Sequence, residues 1–128
     1  MPAAENKATV AAGYAGFGRG DLEPLLAALA DNIVWTSYGD PAAPTAGEFR
    51  GRDGVNRYFE GVGAIDITKF DVHTLIAEED MVVALGNIDF TVKATGNTSS
   101  GPLVHVFGFS NGLITTFDEF EHHQPGVW

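Results

Sequence analysis

The sequence predicts an α+β fold: three helices first, then a sheet that is mostly antiparallel. Three observations predict it. Apolar residues repeat at helical spacing three times, and every repeat lies before Gly63. From Ile65 onward the chain turns to long runs rich in β-branched and aromatic residues, split by short turn clusters. Helices early and strands late argue segregated layers rather than alternating βαβ units. The 128 residues suit one core and one domain spanning residues 1–128, and the chain shows no internal repeat, low-complexity tract or linker.

Residues 4–18 place Val10, Tyr14 and Phe17 at i, i+4 and i+7, one face of a first helix. Gly13 and Gly16 weaken it by ~1 kcal/mol each relative to alanine and leave room for a close neighbour. Gly20 breaks the run. Asp21 is a good N-cap for a second helix, with Glu23 at its positive end and Pro24 in a first turn that needs no N–H there. Leu22, Leu25, Leu26 and Leu29 give this helix a leucine face, which Asp31-Asn32 closes. Ile33 to Tyr38 reads as a strand, and Gly39 to Gly47, with two prolines, as a loop. A third helix starts at Arg52 or Asp53 and repeats the stripe with Val55, Tyr58, Phe59 and Val62. Strands follow over Ile65–Ala77 and Met81–Lys93, then a hairpin over Leu103–His122. Val82-Val83-Ala84-Leu85 is apolar on both faces. One face packs on the helices, and a second copy of the chain is the simplest cover for the other.

Composition excludes several classes. Seven Lys+Arg against seventeen Asp+Glu give a formal charge of −10, which speaks against nucleic acid and against an anionic membrane surface as partners. No apolar run approaches the ~20 residues of a membrane span, and the N-terminus does not read as a signal peptide. There are no cysteines, so thiol nucleophiles and zinc–thiolate sites are out, and a cytoplasmic setting fits.

The hairpin carries the candidate chemistry. Its first run holds His105 among Leu103, Val104, Val106, Phe107 and Phe109; its second holds Asp118, Glu119 and Glu121 beside Phe117 and Phe120. The turn cluster Ser110-Asn111-Gly112 decides which carboxylate meets His105. A three-residue loop pairs Phe109 with Leu113 and sets Glu119 diagonal to His105. A two-residue Asn111-Gly112 loop sets Asp118 beside it, since one residue of slip exchanges faces.

Tyr14, Gly20-Asp21-Leu22, Ala30-Asp31-Asn32-Ile33-Val34-Trp35, Phe49-Arg50-Gly51-Arg52-Asp53-Gly54-Val55, Tyr58-Phe59 and Asn111-Gly112-Leu113-Ile114 follow one another in a familiar order. In that order the chain resembles the SnoaL-like branch of the nuclear-transport-factor-2-like superfamily, which includes ketosteroid isomerases and polyketide cyclases. The resemblance implies three helices closing a strongly curved mixed or antiparallel sheet into a cone with an apolar cavity. It also implies a homodimer through the sheet's outer face. On the last strand the cavity positions correspond to Phe117, Glu119 and Glu121, which favours the three-residue turn. The isomerase set is not matched: its base position holds Ser37, its tyrosine position falls at Gly13 with Tyr14 one residue out of phase, and its second donor position holds His105. The cyclase-like set, an acidic residue on the last strand with a histidine on the one before, is matched by Glu119 and His105, with Glu in place of Asp. An epoxide-hydrolase set needs an arginine on the sheet, and no arginine lies beyond Arg57.

These readings give one expected site. Glu119 is the expected base, its carboxyl pushed up by desolvation and pulled back by His105, and His105 is the donor to a developing oxyanion. Trp35, Ser37, Tyr38, Tyr58, Phe59, Phe107 and Phe117 are the expected walls around a small apolar ligand. The expected reaction is a cofactor-free isomerisation, cyclisation or dehydration of an apolar carbonyl compound. The alternative is a non-catalytic dimeric binding or accessory module, in which His105 and Glu119 satisfy each other. No metal site is expected, because His122 and His123 would point to opposite faces of a strand.

Overall fold

The computed structural model describes residues 2–128. Helix α1 (Pro2–Gly18) and helix α2 (Glu23–Ala28) precede strands β1 (Leu29–Ser37) and β2 (Gly47–Arg50); helix α3 (Gly51–Val62) leads into β3 (Ile65–Glu78), β4 (Met81–Val92), β5 (Thr98–Ser110) and β6 (Leu113–Glu121). The six strands form one open sheet in the order β2-β1-β6-β5-β4-β3. Neighbours are antiparallel except β1 and β6, which run parallel, so the sheet is mixed. The topology explains the exception. Helix α3 carries the chain from one edge to the other, and the β3–β6 meander returns to meet β1.

Local chemistry sets the helix ends. Gly20 takes φ +77°, and the Asp21 carboxylate accepts the Glu23 N–H at 3.0 Å, so Asp21 caps α2 from just outside it. A side chain at Gly16 would collide with the Asp21 carbonyl, which is why this turn folds so tightly against α1. Helix α2 is shorter than its leucine pattern implies. Leu29 leaves it to pair with Ile114 in the sheet, where it is fully buried. The Arg52 guanidinium then donates to the carbonyls of Leu26 (2.9 Å) and Leu29 (2.6 Å), satisfying groups that the end of α2 leaves open. Strand β2 and the first residues of β5 lie where no strand is expected; β2 has only four residues, too few to show a period.

The core falls into two clusters. The larger joins Val10, Leu29, Ile33, Trp35, Val55, Tyr58, Val82, Phe107, Ile114 and Phe117 between the helices and one face of the sheet. The smaller joins Ile88, Phe90, Val92, Leu103 and Val127, with Trp128 packed on it. The C-terminal tail is thus part of the fold: Asn97 Nδ2 donates to the Val127 carbonyl (3.3 Å) and the Gln124 N–H to Ser99 Oγ (2.9 Å). Among the described residues no helix is long and apolar enough to cross a membrane.

Candidate active site

Between the helices and the sheet lies a pocket of about 80 Å³. Val10, Phe17, Leu25, Val62, Ile65, Ile67, Phe70 and Ile88 line it, together with Trp35, Tyr58, Phe59, Phe107 and Phe117 from the expected wall set. Its polar side chains are those of Tyr14, Thr45, Tyr58, His105, Glu119 and Glu121, and no lysine or arginine lines it. Two expected wall residues sit elsewhere. Ser37 lies behind Glu119, buried but outside the lining. Tyr38 is 57% exposed on the opposite face, stacked on Phe120 at 4.9 Å. Strand alternation already puts Trp35 and Ser37 on one face and Tyr38 on the other. Asn87 and Asp89 also fall on the outer face, since Ile88 between them lines the pocket.

His105 and Glu119 meet by a route other than the three-residue turn. Ser110 pairs with Leu113, leaving a two-residue loop in which Asn111 (φ 52°) and Gly112 (φ 78°) are both left-handed, a type I′ turn. That loop alone would bring Asp118 to His105. One extra residue in β6, Thr115, restores the other face: Phe109 pairs with Ile114, but Gly108 pairs with Thr116. From there His105 lies directly opposite Glu119. Gly108 permits the bulge, because a side chain there would collide with the Thr116 hydroxyl. Asp118 is turned outward, opposite Thr36 and beside Tyr38.

Glu119 is held on every side. Oε2 accepts from His105 Nε2 at 2.8 Å; Oε1 accepts from the hydroxyls of Tyr58 (2.8 Å) and Ser37 (2.9 Å). Burial pushes this carboxyl up, but the hydrogen bond and charge of His105, then the two hydroxyls, outweigh it and hold Glu119 below the usual carboxylate range. Both oxygens of the expected base are therefore engaged by donors, and its carboxyl is held toward the ionised form. Across the imidazole, Nδ1 lies 2.5 Å from the Tyr14 hydroxyl. Burial, then the Glu119 charge, push the Tyr14 phenol well up, so it keeps its proton. Tyr14 is the residue that the sequence reading placed out of phase. Helical spacing from Val10 and Phe17 was its signal. The indole N–H of Trp35, stacked on Phe117 at 3.7 Å, is the buried side-chain polar atom left without a partner among the described residues.

A second acid–imidazole pair stands beside the first. Glu121, two residues along β6 and so on the same face, accepts from His123 Nε2 at 3.0 Å, and both side chains are about nine-tenths buried. The Trp128 indole N–H reaches His123 Nδ1 at 3.2 Å, and Phe90 packs edge-on against the ring at 5.3 Å. Burial first, with the Glu119 charge adding, pushes Glu121 above its ordinary range despite His123. His105, Glu119 and Glu121 offer ligand-type atoms within 4.8 Å of one another. A cation there would have to displace donors that already fill Glu119, so the cluster reads as a hydrogen-bonded network rather than an open coordination set.

Comparison with known proteins fits this architecture. A family model described as the SnoaL-like domain matches residues 10–117. The chain belongs to the SnoaL-like family. A solved NTF2-like protein of unknown function from Burkholderia pseudomallei is 29% identical, with a TM-score of 0.79 over 92% of this chain and 91% of that one. An NTF2-like protein from Burkholderia xenovorans is 26% identical, with a TM-score of 0.81 over 92% and 89%. A protein provisionally assigned as a SnoaL-like polyketide cyclase, from Mesorhizobium loti, is 20% identical with a TM-score of 0.72 over 94% and 98%, a likeness of fold alone. No curated protein matches the chain.

Proposed function

We propose that this SnoaL-like domain is a cofactor-free enzyme that moves a proton on a small neutral carbonyl compound, as an isomerase, cyclase or dehydratase does. One observation carries the reading: the hydrogen-bonded chain Tyr14–His105–Glu119 ends inside an apolar pocket. An ionised Glu119 stabilises a protonated His105. Its Nδ1–H then donates to the Tyr14 oxygen, which frees the phenol proton to hydrogen-bond a carbonyl oxygen in the pocket and to stabilise the enolate that forms there. His105 is the acid that turns the phenol outward as a donor, and Glu119, braced by Tyr58 and Ser37, fixes its orientation. With no lysine or arginine in the lining, an anionic substrate would meet two carboxyl groups with only His105 to offset them. The free space lies below the ~300 Å³ at which sites for drug-sized ligands begin, which favours a small ring or chain. The proposal includes a homodimer through the outer face, where Tyr38, Phe120 and Met81 stand exposed.

The test is hydrogen–deuterium exchange. Wild-type protein with cyclopentanone in heavy water should exchange the α protons faster than buffer, as followed by proton NMR. Tyr14→Phe should slow the protein-dependent rate by about 10²-fold, the usual loss for one oxyanion donor. A wild-type rate equal to buffer, or a Tyr14→Phe rate equal to wild type, would overturn the reading.

A further inference from the structure

Glu121 and His123 form a buried unit that the chain Tyr14–His105–Glu119 leaves unused. Trp128 fixes its protonation. An indole N–H can only donate, so His123 Nδ1, 3.2 Å away, must accept. The remaining ring proton then sits on Nε2, which donates to Glu121 Oε1 at 3.0 Å. His123 is therefore a neutral donor while the tail stays docked, and docking is secured by Val127, 2% exposed in the smaller core cluster. Gly39 permits the fit: a side chain there would press on the imidazole, with Cε1 at 3.1 Å.

The consequences differ for the two carboxyl groups. Glu119 has three donors on its two oxygens. Glu121 has one side-chain donor, on Oε1, among the described residues. Glu121 also lines the pocket, with a carboxylate oxygen within 4.8 Å of His105. The titratable groups facing it are Glu119 on its own strand, His105 on β5, Tyr58 on α3 and His123 in the tail. Glu119 is an anion that offsets the charge of His105, and the partner that hydrogen-bonds Glu121 is a neutral donor. This surrounding keeps a carboxyl available for proton uptake.

We propose that Glu121 is the pocket's second catalytic group, the carboxylate that takes the substrate's α proton, with His123 and Trp128 as its positioning residues. The inference rests on the proton-transfer reading above. In the step, the substrate C–H bond breaks and an O–H bond forms on Glu121 Oε2. The electron pair moves to the carbonyl oxygen, where Tyr14 donates to it. Glu121 then returns the proton to the same or a conjugated carbon. Two carboxyl groups of one pocket thus take separate duties, one held toward its charged form by three donors and one exchanging a proton.

The experiment uses cyclopentanone exchange in heavy water with the full-length chain. Glu121→Gln should lower the protein-dependent rate by ~10²–10⁴-fold, the usual worth of general base catalysis, while cyclopentanone affinity by NMR line broadening stays at the wild-type level. Trp128→Phe removes the fixed donor and lets His123 take a second proton. Exchange should persist, with its pH–rate profile rising at lower pH than in wild type. Should Glu121→Gln exchange at the wild-type rate while Tyr14→Phe does not, the role of Glu121 is overturned and the parent reading stands. An unmoved profile in Trp128→Phe would overturn the positioning role. If wild type exchanges no faster than buffer, both fall.

Discussion

Two acid–imidazole pairs stand side by side in this molecule, and a single atom type separates them. His105 is capped by a phenol, which can donate or accept; His123 is capped by an indole, which can only donate. The first imidazole can therefore either accept from or donate to its cap, and the second can only accept from it. The carboxylates divide accordingly: Glu119, ringed by donors, sits below the ordinary range, and Glu121, half satisfied and next to that charge, sits above it. Identical residue pairs become opposite devices through their third member.

The largest test of that contrast is stability. His105→Leu strands a buried carboxylate, at a cost of about 3–5 kcal/mol. His123→Leu should cost only about 1–3 kcal/mol, because Glu121 can take up a proton when its donor is lost. Urea unfolding at neutral pH compares them, and equal losses would break the comparison. The next effect is in pH. Glu119 has a folded value below its unfolded one, so its contribution is full above the ordinary carboxylate range and is lost as pH falls through the depressed value. Glu121 has a raised folded value, so its contribution is full below that range and is lost as pH rises through the raised value. Glu119→Gln should flatten the acid side of the melting-temperature profile. Glu121→Gln should flatten the side above the ordinary range. Profiles that change on the same side would contradict the assignment. The smallest effect on the pocket is expected from the outer face. Phe120→Lys should leave the exchange rate unchanged while turning a dimer into a monomer in sedimentation; a monomeric wild type would remove the dimer from the proposal.

Much of this was legible in the sequence, through periodicity. The helical stripes place α1 and α3, and alternation in the last strand puts Phe117, Glu119 and Glu121 on one face. The bulge was hidden, because Thr115 looks like any strand residue and only Gly108 across from it makes room. The tight turn and the correct face looked incompatible for that reason. Tyr14 was visible as a helical position but not as a site residue, since one residue on a helix is a rotation of ~100° and the matched position fell at Gly13. Trp128 left no local mark. Its contact with His123 depends on the tail folding back onto Phe90, a tertiary event with no short-range pattern.

The most direct test is a carbon-13 NMR titration of the glutamate side-chain carboxyl groups, assigned with Glu119→Gln and Glu121→Gln. The account predicts that one of the two buried carboxyls, Glu119, stays ionised well below the range of the surface glutamates, and that the other, Glu121, titrates above it. Both titrating together with the surface groups, or in the reverse order, would contradict it.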